Sequence, residues 1–217
     1  MKKNLLALAF LVGLLTCCKS EDAPIKPVKP TDPGSINKEY MSRAETTFAN
    51  IFKYYWSDKV RMMFGSYPNT LGTPQEPSSP DYDSHAYLWG LGSVVSAFNA
   101  IVQNTDNVDF RMTYESRLKE TLLKYYNTTK EPMCFGCFVN PHDQRLYDDA
   151  IWVGIDLADL YSKTKDSWYL DYAKSVWNFV LSGKDDELGG GVYWDENAKD
   201  SKNTCSNAPA VVLALKL

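Results

Sequence analysis

"QRLYDDAIWVGIDLADLY", residues 144–161, puts two adjacent aspartates, Asp148 and Asp149, at the head of a run that is apolar on most faces. The spacing predicts a helix over 146–162 with no continuous polar stripe for water, so the helix belongs in an interior. Like charges side by side in such a segment are costly. Two explanations stand. Asp is favoured in any first helical turn, as a cap or for the helix dipole. Alternatively, a crowded carboxyl pair is what a reaction needs.

Working outward, the helical pattern continues almost throughout from Ile36. "INKEYMSRAETTFANIFKYYW" (36–56) sets Tyr40, Ala44, Phe48 and Ile51/Phe52 on one face, the spacing of an amphipathic helix. The stretch 84–104 is apolar nearly all round, whereas 109–127 is amphipathic through Phe110, Tyr114, Leu118, Leu122 and Tyr125. Residues 167–182 are amphipathic through Tyr169, Ala173, Val176/Trp177 and Val180, and 205–217 opens another buried helix. Trp56, Trp168 and Trp177 fall on outer helices and read as packing residues. A Pro- and Gly-dense loop fills 60–83. "CFGCFVNPHDQRL" (134–146) and "LGGGVYWDENAKDSKNT" (188–204) read as hairpin-like loops.

The unit of buried helix, turn, amphipathic helix and long loop occurs twice. "AFNAIVQNTDNVDF" (97–110) answers "LADLYSKTKDSWYL" (157–170), with Thr105-Asp106 set against Thr164-Lys165-Asp166. The pattern predicts an all-α fold, an α/α toroid of the (α/α)6 type, with buried helices inside and amphipathic helices outside. A plain bundle would have shorter loops. Six helices make three hairpins, about half the ring. The chain closes on the apolar "VVLALKL" without a cap, so the reading expects a truncated piece of the domain, with apolar surface open at its edge.

The first residues are not fold. "MKK" is a charged leader and "NLLALAFLVGLLT" a short apolar core, too short to span a bilayer. Cys17 and Cys18 follow where small residues would end a plain secretory signal. This resembles a lipoprotein signal over 1–17, with Cys18 (or Cys17) as the lipid anchor. The Pro- and charge-rich stretch 18–36 reads as a flexible tether, and 37–217 as the folded domain. The acidic "KSED" after the cysteines resembles an export signal, so the expected location is the outer membrane, exposed at the cell surface. A net charge of −4 without a basic cluster argues against a nucleic-acid partner. "CFGC" has metal-ligand spacing, but no second pair exists and the histidines are only His85 and His142, so no metal site is expected. Cys134 and Cys137 read as a local disulfide or as two free thiols.

If the ring reading holds, the long loops gather above the starts of the inner helices. They carry "PDYDSHAYLW", "NPHDQRLYDDAIW" and "GGGVYWDENAKDSKNTCSN", a mixture of acids, amides and aromatics that suits sugars. Hydrolysis of a glycosidic bond needs two carboxyl groups flanking it. Consecutive helical residues leave the axis about 100° apart, with Cα atoms about 3.8 Å apart. The carboxyls of Asp148 and Asp149 can therefore splay to the roughly 5–5.5 Å of a retaining pair. Mutual repulsion would keep one protonated near neutral pH, while the helix start favours the other as an anion.

"RLYDDAIWVGIDLADLY", then "GGGVYWDE", then "KNTCSNAPAVVLALKL" resembles glycoside hydrolase family 76, the endo-α-1,6-mannanases, over about residues 37–217. The resemblance implies retaining, endo-acting cleavage of α-1,6-mannosidic bonds in α-mannan by a monomer, with no cofactor. It implies Asp148 as nucleophile and Asp149 as general acid/base. Substrate contacts are expected from Asp83, His85 and Tyr87 at the first inner helix and from Trp152. Tyr193 and Trp194 in the glycine-rich loop, with Asn203 and Asn207 at the last helix start, complete the set. Trp152 could equally pack between inner helices, and Asn207 could equally cap. A non-catalytic glycan-binding lipoprotein of the same fold, or an α/α-toroid enzyme for another polysaccharide, are the alternatives.

Overall fold

The structure, a computed structural model, describes residues 38–68, 85–139 and 144–217. Asp83, Cys17, Cys18, the leader and the tether lie outside the described residues. Six helices follow in order: α1 (Lys38–Tyr55), α2 (Leu88–Asn104), α3 (Val108–Tyr125), α4 (Tyr147–Thr164), α5 (Ser167–Ser182) and α6 (Thr204–Lys216). Two-stranded ribbons, β1 (Trp56–Ser57) with β2 (Met62–Met63) and β3 (Tyr126–Asn127) with β4 (Cys134–Phe135), are both antiparallel. The architecture is the expected partial α/α toroid. Helices α2, α4 and α6 form the inner layer, with α4 packed between the other two, and α1, α3 and α5 lie outside.

Burial explains which inner helix is apolar all round. In α4 every residue from Tyr147 to Ala158 is buried except Trp152, because α4 has inner neighbours on both sides. Helices α2 and α6 each have one, and they expose Trp89 and Ser93, and Val211, Val212 and Leu215, respectively. The expectation that every inner helix is buried all round therefore holds for α4 alone. Gly154 lets α4 approach both partners closely. A β-carbon there would lie 2.9 Å from Val176 Cγ1 on α5 and 3.1 Å from Leu213 Cδ2 on α6. The outer seam is aromatic: Phe48 of α1 meets Phe98 of α2 at 6.0 Å and Phe110 of α3 at 5.4 Å.

The repeated turns between inner and outer helices are built alike. The Thr105 hydroxyl accepts the Asn107 amide, and Asn107 caps α3 by accepting Phe110 N–H. The Thr164 hydroxyl accepts the Asp166 amide, and Asp166 caps α5 by accepting Trp168 N–H. At the opposite end, backbone bonds stitch one loop to the next. Leu88 N–H donates to Cys137 O (2.9 Å), and Tyr147 N–H to Trp194 O (3.0 Å).

Two loop expectations need correction. Cys134–Phe135 pairs backward with Tyr126–Asn127, so the first hairpin starts eight residues earlier than 134–146 suggested. Helix α3 ends at Tyr125, and Tyr126–Asn127 form a strand, which the apolar spacing of 109–127 hid. The second loop is no hairpin. It holds a short 3-10 turn at Glu187–Gly189, and single bridges join Lys184 to Val192 and Leu146 to Asp195. Its glycines Gly189, Gly190 and Gly191 have φ of +86°, +89° and +88°, which only glycine adopts freely.

Arg145 fastens these loops. Its side chain is 0% exposed and lies over the Phe179 ring, 4.7 Å from the centroid. Its guanidinium grips both carboxylate oxygens of Glu196 and donates to the carbonyls of Lys130 and Pro132. Burial alone would raise the Glu196 pKa, but Arg145 and Lys130 outweigh it and hold the carboxyl below its ordinary value. This contribution to stability is thus present above the ordinary glutamate pKa and is lost as pH falls through the depressed one. Arg145→Met would leave Glu196 without its main partner. It is expected to lower the free energy of unfolding by about 3–5 kcal/mol, read as a fall in the urea midpoint at unchanged slope.

Candidate active site

The chain enters α4 through Leu146 in an extended conformation, and no side chain caps the helix. Asp148 and Asp149 sit in the first turn, 7% and 8% exposed. Neither serves as the cap, so of the helix-start explanations only the favourable helix dipole remains for them. Their environments differ. Asp148 Oδ2 accepts the Trp194 indole N–H at 3.2 Å, while its Oδ1 is buried without a partner. The Cys205 thiol lies beside it, held above its ordinary pKa by burial and by a hydrogen bond to Asp148. Asp149 receives a hydrogen bond from the Cys137 thiol. Burial first, and then the charge of Asp148, push the Asp149 pKa up to about 6. One carboxyl is thus primed to hold a proton near neutral pH beside another that accepts an indole N–H.

Asp149 opens on a cleft of about 280 Å³ between α2 and α4, lined also by Leu88, Trp89, Gly92, Ser93, Ser96 and Trp152. Trp152 is 44% exposed at its wall rather than packed between helices, and Trp89 is 56% exposed. Below, Asp156 accepts hydrogen bonds from the Ser96 hydroxyl and from Asn99 Nδ2, a buried polar link between the two inner helices.

The other expected contacts divide. Trp194 is exposed, and its indole N–H reaches Asp148. Tyr193 is 3% exposed, with the Lys202 ammonium 4.5 Å from its ring centroid, so its face is not open to a sugar. Alternation along the chain turns adjacent residues to opposite sides, and Tyr193 faces inward. Asn207 is spent on the backbone: Oδ1 accepts Val192 N–H, and Nδ2 donates to the carbonyls of Val192 and Asn203. A β-carbon on Gly191 would lie 2.4 Å from Asn207 Oδ1, so this clamp needs glycine. Asn203 is the N-cap residue of α6, and its side chain makes no cap bond. Tyr87 precedes α2, half exposed, with its ring edge-on to Phe138 at 5.0 Å. His85 is half-buried and bridges to Phe64. Burial first, then the nearby Lys124 charge, lower its pKa.

Cys134 and Cys137 are free and buried. Burial pushes the Cys134 thiol up to about 12 and raises Cys137 too, so both stay protonated and neither is a ready thiolate ligand. Residues that sequence reading gave no role at the site include Trp89, Cys205 and the Arg145–Glu196 pair, and Cys137 was read only as a disulfide partner or free thiol. Trp89 carried a usable signal: it opens an inner helix, as Asp148 does.

The chain matches the family described as "Glycosyl hydrolase family 76" over residues 39–217. Comparison with curated proteins found no match. Among solved structures, the chain is similar to a family 76 glycoside hydrolase from a bovine Bacteroides thetaiotaomicron strain. The identity is 29% over 81% of this chain and 37% of that one, with a TM-score of 0.68. It is similar to a family 76 mannosidase of Bacteroides thetaiotaomicron VPI-5482 at 25% identity, over 82% of this chain and 48% of that one, with a TM-score of 0.68. An α-1,6-mannanase of Salegentibacter sp. HEL1_6 shares the fold at 20% identity, over 82% of this chain and 44% of that one, with a TM-score of 0.61. The chain thus spans less than half the length of each. On this match, and with its inner helices, loops and paired acids arranged as described, the chain belongs to glycosyl hydrolase family 76.

Proposed function

We propose that the protein is a retaining, endo-acting glycoside hydrolase that cuts α-1,6-mannosidic bonds in α-mannan. The observation that carries this reading is the pair of buried adjacent carboxyls, one with an unpartnered oxygen and the other held protonated toward pH 6. The mannan substrate is supported by family membership. The α-1,6 linkage is the one named for the Salegentibacter relative and comes to this chain as part of the proposal.

In the proposed first step, Asp148 Oδ1 attacks the anomeric carbon. The C1–O bond breaks, Asp149 delivers its proton to the departing oxygen, and the leaving sugar departs as an alcohol. The glycosyl ester on Asp148 is then attacked by water, whose proton passes to Asp149, restoring both groups and the α configuration. Trp194 N–H steadies the Asp148 carboxylate without occupying the attacking oxygen. We further propose that Cys18 (or Cys17) carries a lipid that tethers the enzyme to the outer membrane. Labelling with a radioactive fatty acid should vanish from the Cys17→Ser/Cys18→Ser double variant.

Chromatography of α-1,6-mannan digests with the full-length protein is expected to show short manno-oligosaccharides. NMR of the first-formed product is expected to show the α anomer. Binding without release would instead support a glycan-holding role. Asp148→Asn and Asp149→Asn should each abolish release on mannan. Because the acid must be protonated to act, kcat/KM should fall about tenfold per pH unit above about 6. Trp194→Phe removes a hydrogen bond to a charged group and should lower kcat by roughly 10–100-fold, with a smaller change in KM.

A further inference from the structure

We infer that the cleft between α2 and α4 is the leaving-group subsite, and that Trp89 is its specificity-determining residue, stacking on the mannosyl unit that departs. This rests on the proposed hydrolase reading and gives one side of that site its occupant.

The placement follows from which acid the cleft contains. Asp149 lines it, whereas Asp148 faces Trp194 and Cys205. A general acid must stand beside the oxygen that leaves, so the sugar on that oxygen lies on the acid's side. The wall chemistry suits a pyranose. Trp89 and Trp152, from two different helices, are the large exposed rings of this wall, and indole faces pack on the C–H face of a sugar. Ser93 and Ser96 supply hydroxyls between them. The Ser96 proton is committed to Asp156, which leaves the Ser96 oxygen as an acceptor for a sugar hydroxyl. Gly92 adds no side chain and keeps the floor open. At about 280 Å³ the cleft lies near the small end of ligand clefts, room for a sugar unit rather than a long chain.

The test compares two substrates. α-1,6-Mannan has a sugar as leaving group, whereas α-1,6-mannobiosyl fluoride has only fluoride, which needs neither this cleft nor protonation. In the full-length protein, Trp89→Ala should lower kcat/KM on mannan about 10–100-fold, the equivalent of about 1.4–2.7 kcal/mol. Activity on the fluoride should change by less than about twofold. Ser93→Phe, which fills the cleft without removing any ring, should give the same split and serves if Trp89→Ala does not fold. Equal losses on both substrates, or no loss on mannan, would overturn the assignment. If the parent protein cuts neither substrate, the hydrolase reading itself fails, an outcome distinct from a parent that cuts both and a variant that shows no split.

Discussion

A guanidinium with no exposed surface must find every partner inside the protein, and Arg145 finds four acceptors on two separate chain segments. Two are the oxygens of Glu196 and two are carbonyls of the 130–132 loop. The consequence is geometric. Glu196 stands two residues after Trp194, and Arg145 three before Asp148, so the ion pair fixes the register of the loop against the helix start. The Leu146–Asp195 bridge and the bond from Tyr147 N–H to Trp194 O lie within that register. Trp194 reaches Asp148 because these contacts leave its loop no other position. Lys202 supports the far side of the same loop, donating to the carbonyls of Asp185 and Glu187 while lying against Tyr193.

On this frame, the two adjacent acids acquire different roles from small differences in surroundings. Burial first, and then the neighbouring Asp148, raise the Asp149 pKa to about 6. Asp148 accepts the Trp194 indole N–H at the uncapped start of the helix. The thiols of Cys137 and Cys205, one beside each acid, are weak donors that fill space without bringing charge.

Much of this architecture was legible in the residues. Apolar periodicity placed α5 to the residue and α4 to within two, because helix packing is written in a repeat that one chain displays by itself. The acid pair stood out because buried like charge violates the ordinary rule of composition. Side-chain direction within the glycine-rich loop was not legible. Tyr193 and Trp194 are neighbours of similar chemistry, and only the Lys202 and Val192 contacts decide which turns in. The roles of Asn207 and Arg145 were hidden for a related reason: their partners, Val192 and Glu196, lie 15 and 51 residues away. Trp89 was legible in principle, but a tryptophan in an apolar helix reads as core until its exposure is known.

The paired Thr turns differ from the active-site end in the range of their bonds. Each turn closes over two or three residues, so α3 and α5 can each start from their own sequence. The bonds that assemble the acids span 46 residues for Trp194 to Asp148 and 51 for Arg145 to Glu196. Such distant closures cost more chain entropy and come later than local ones. During synthesis the hairpins can therefore take shape one after another as they emerge, while Asp148 and Asp149 wait for the succeeding loop before they become a matched pair.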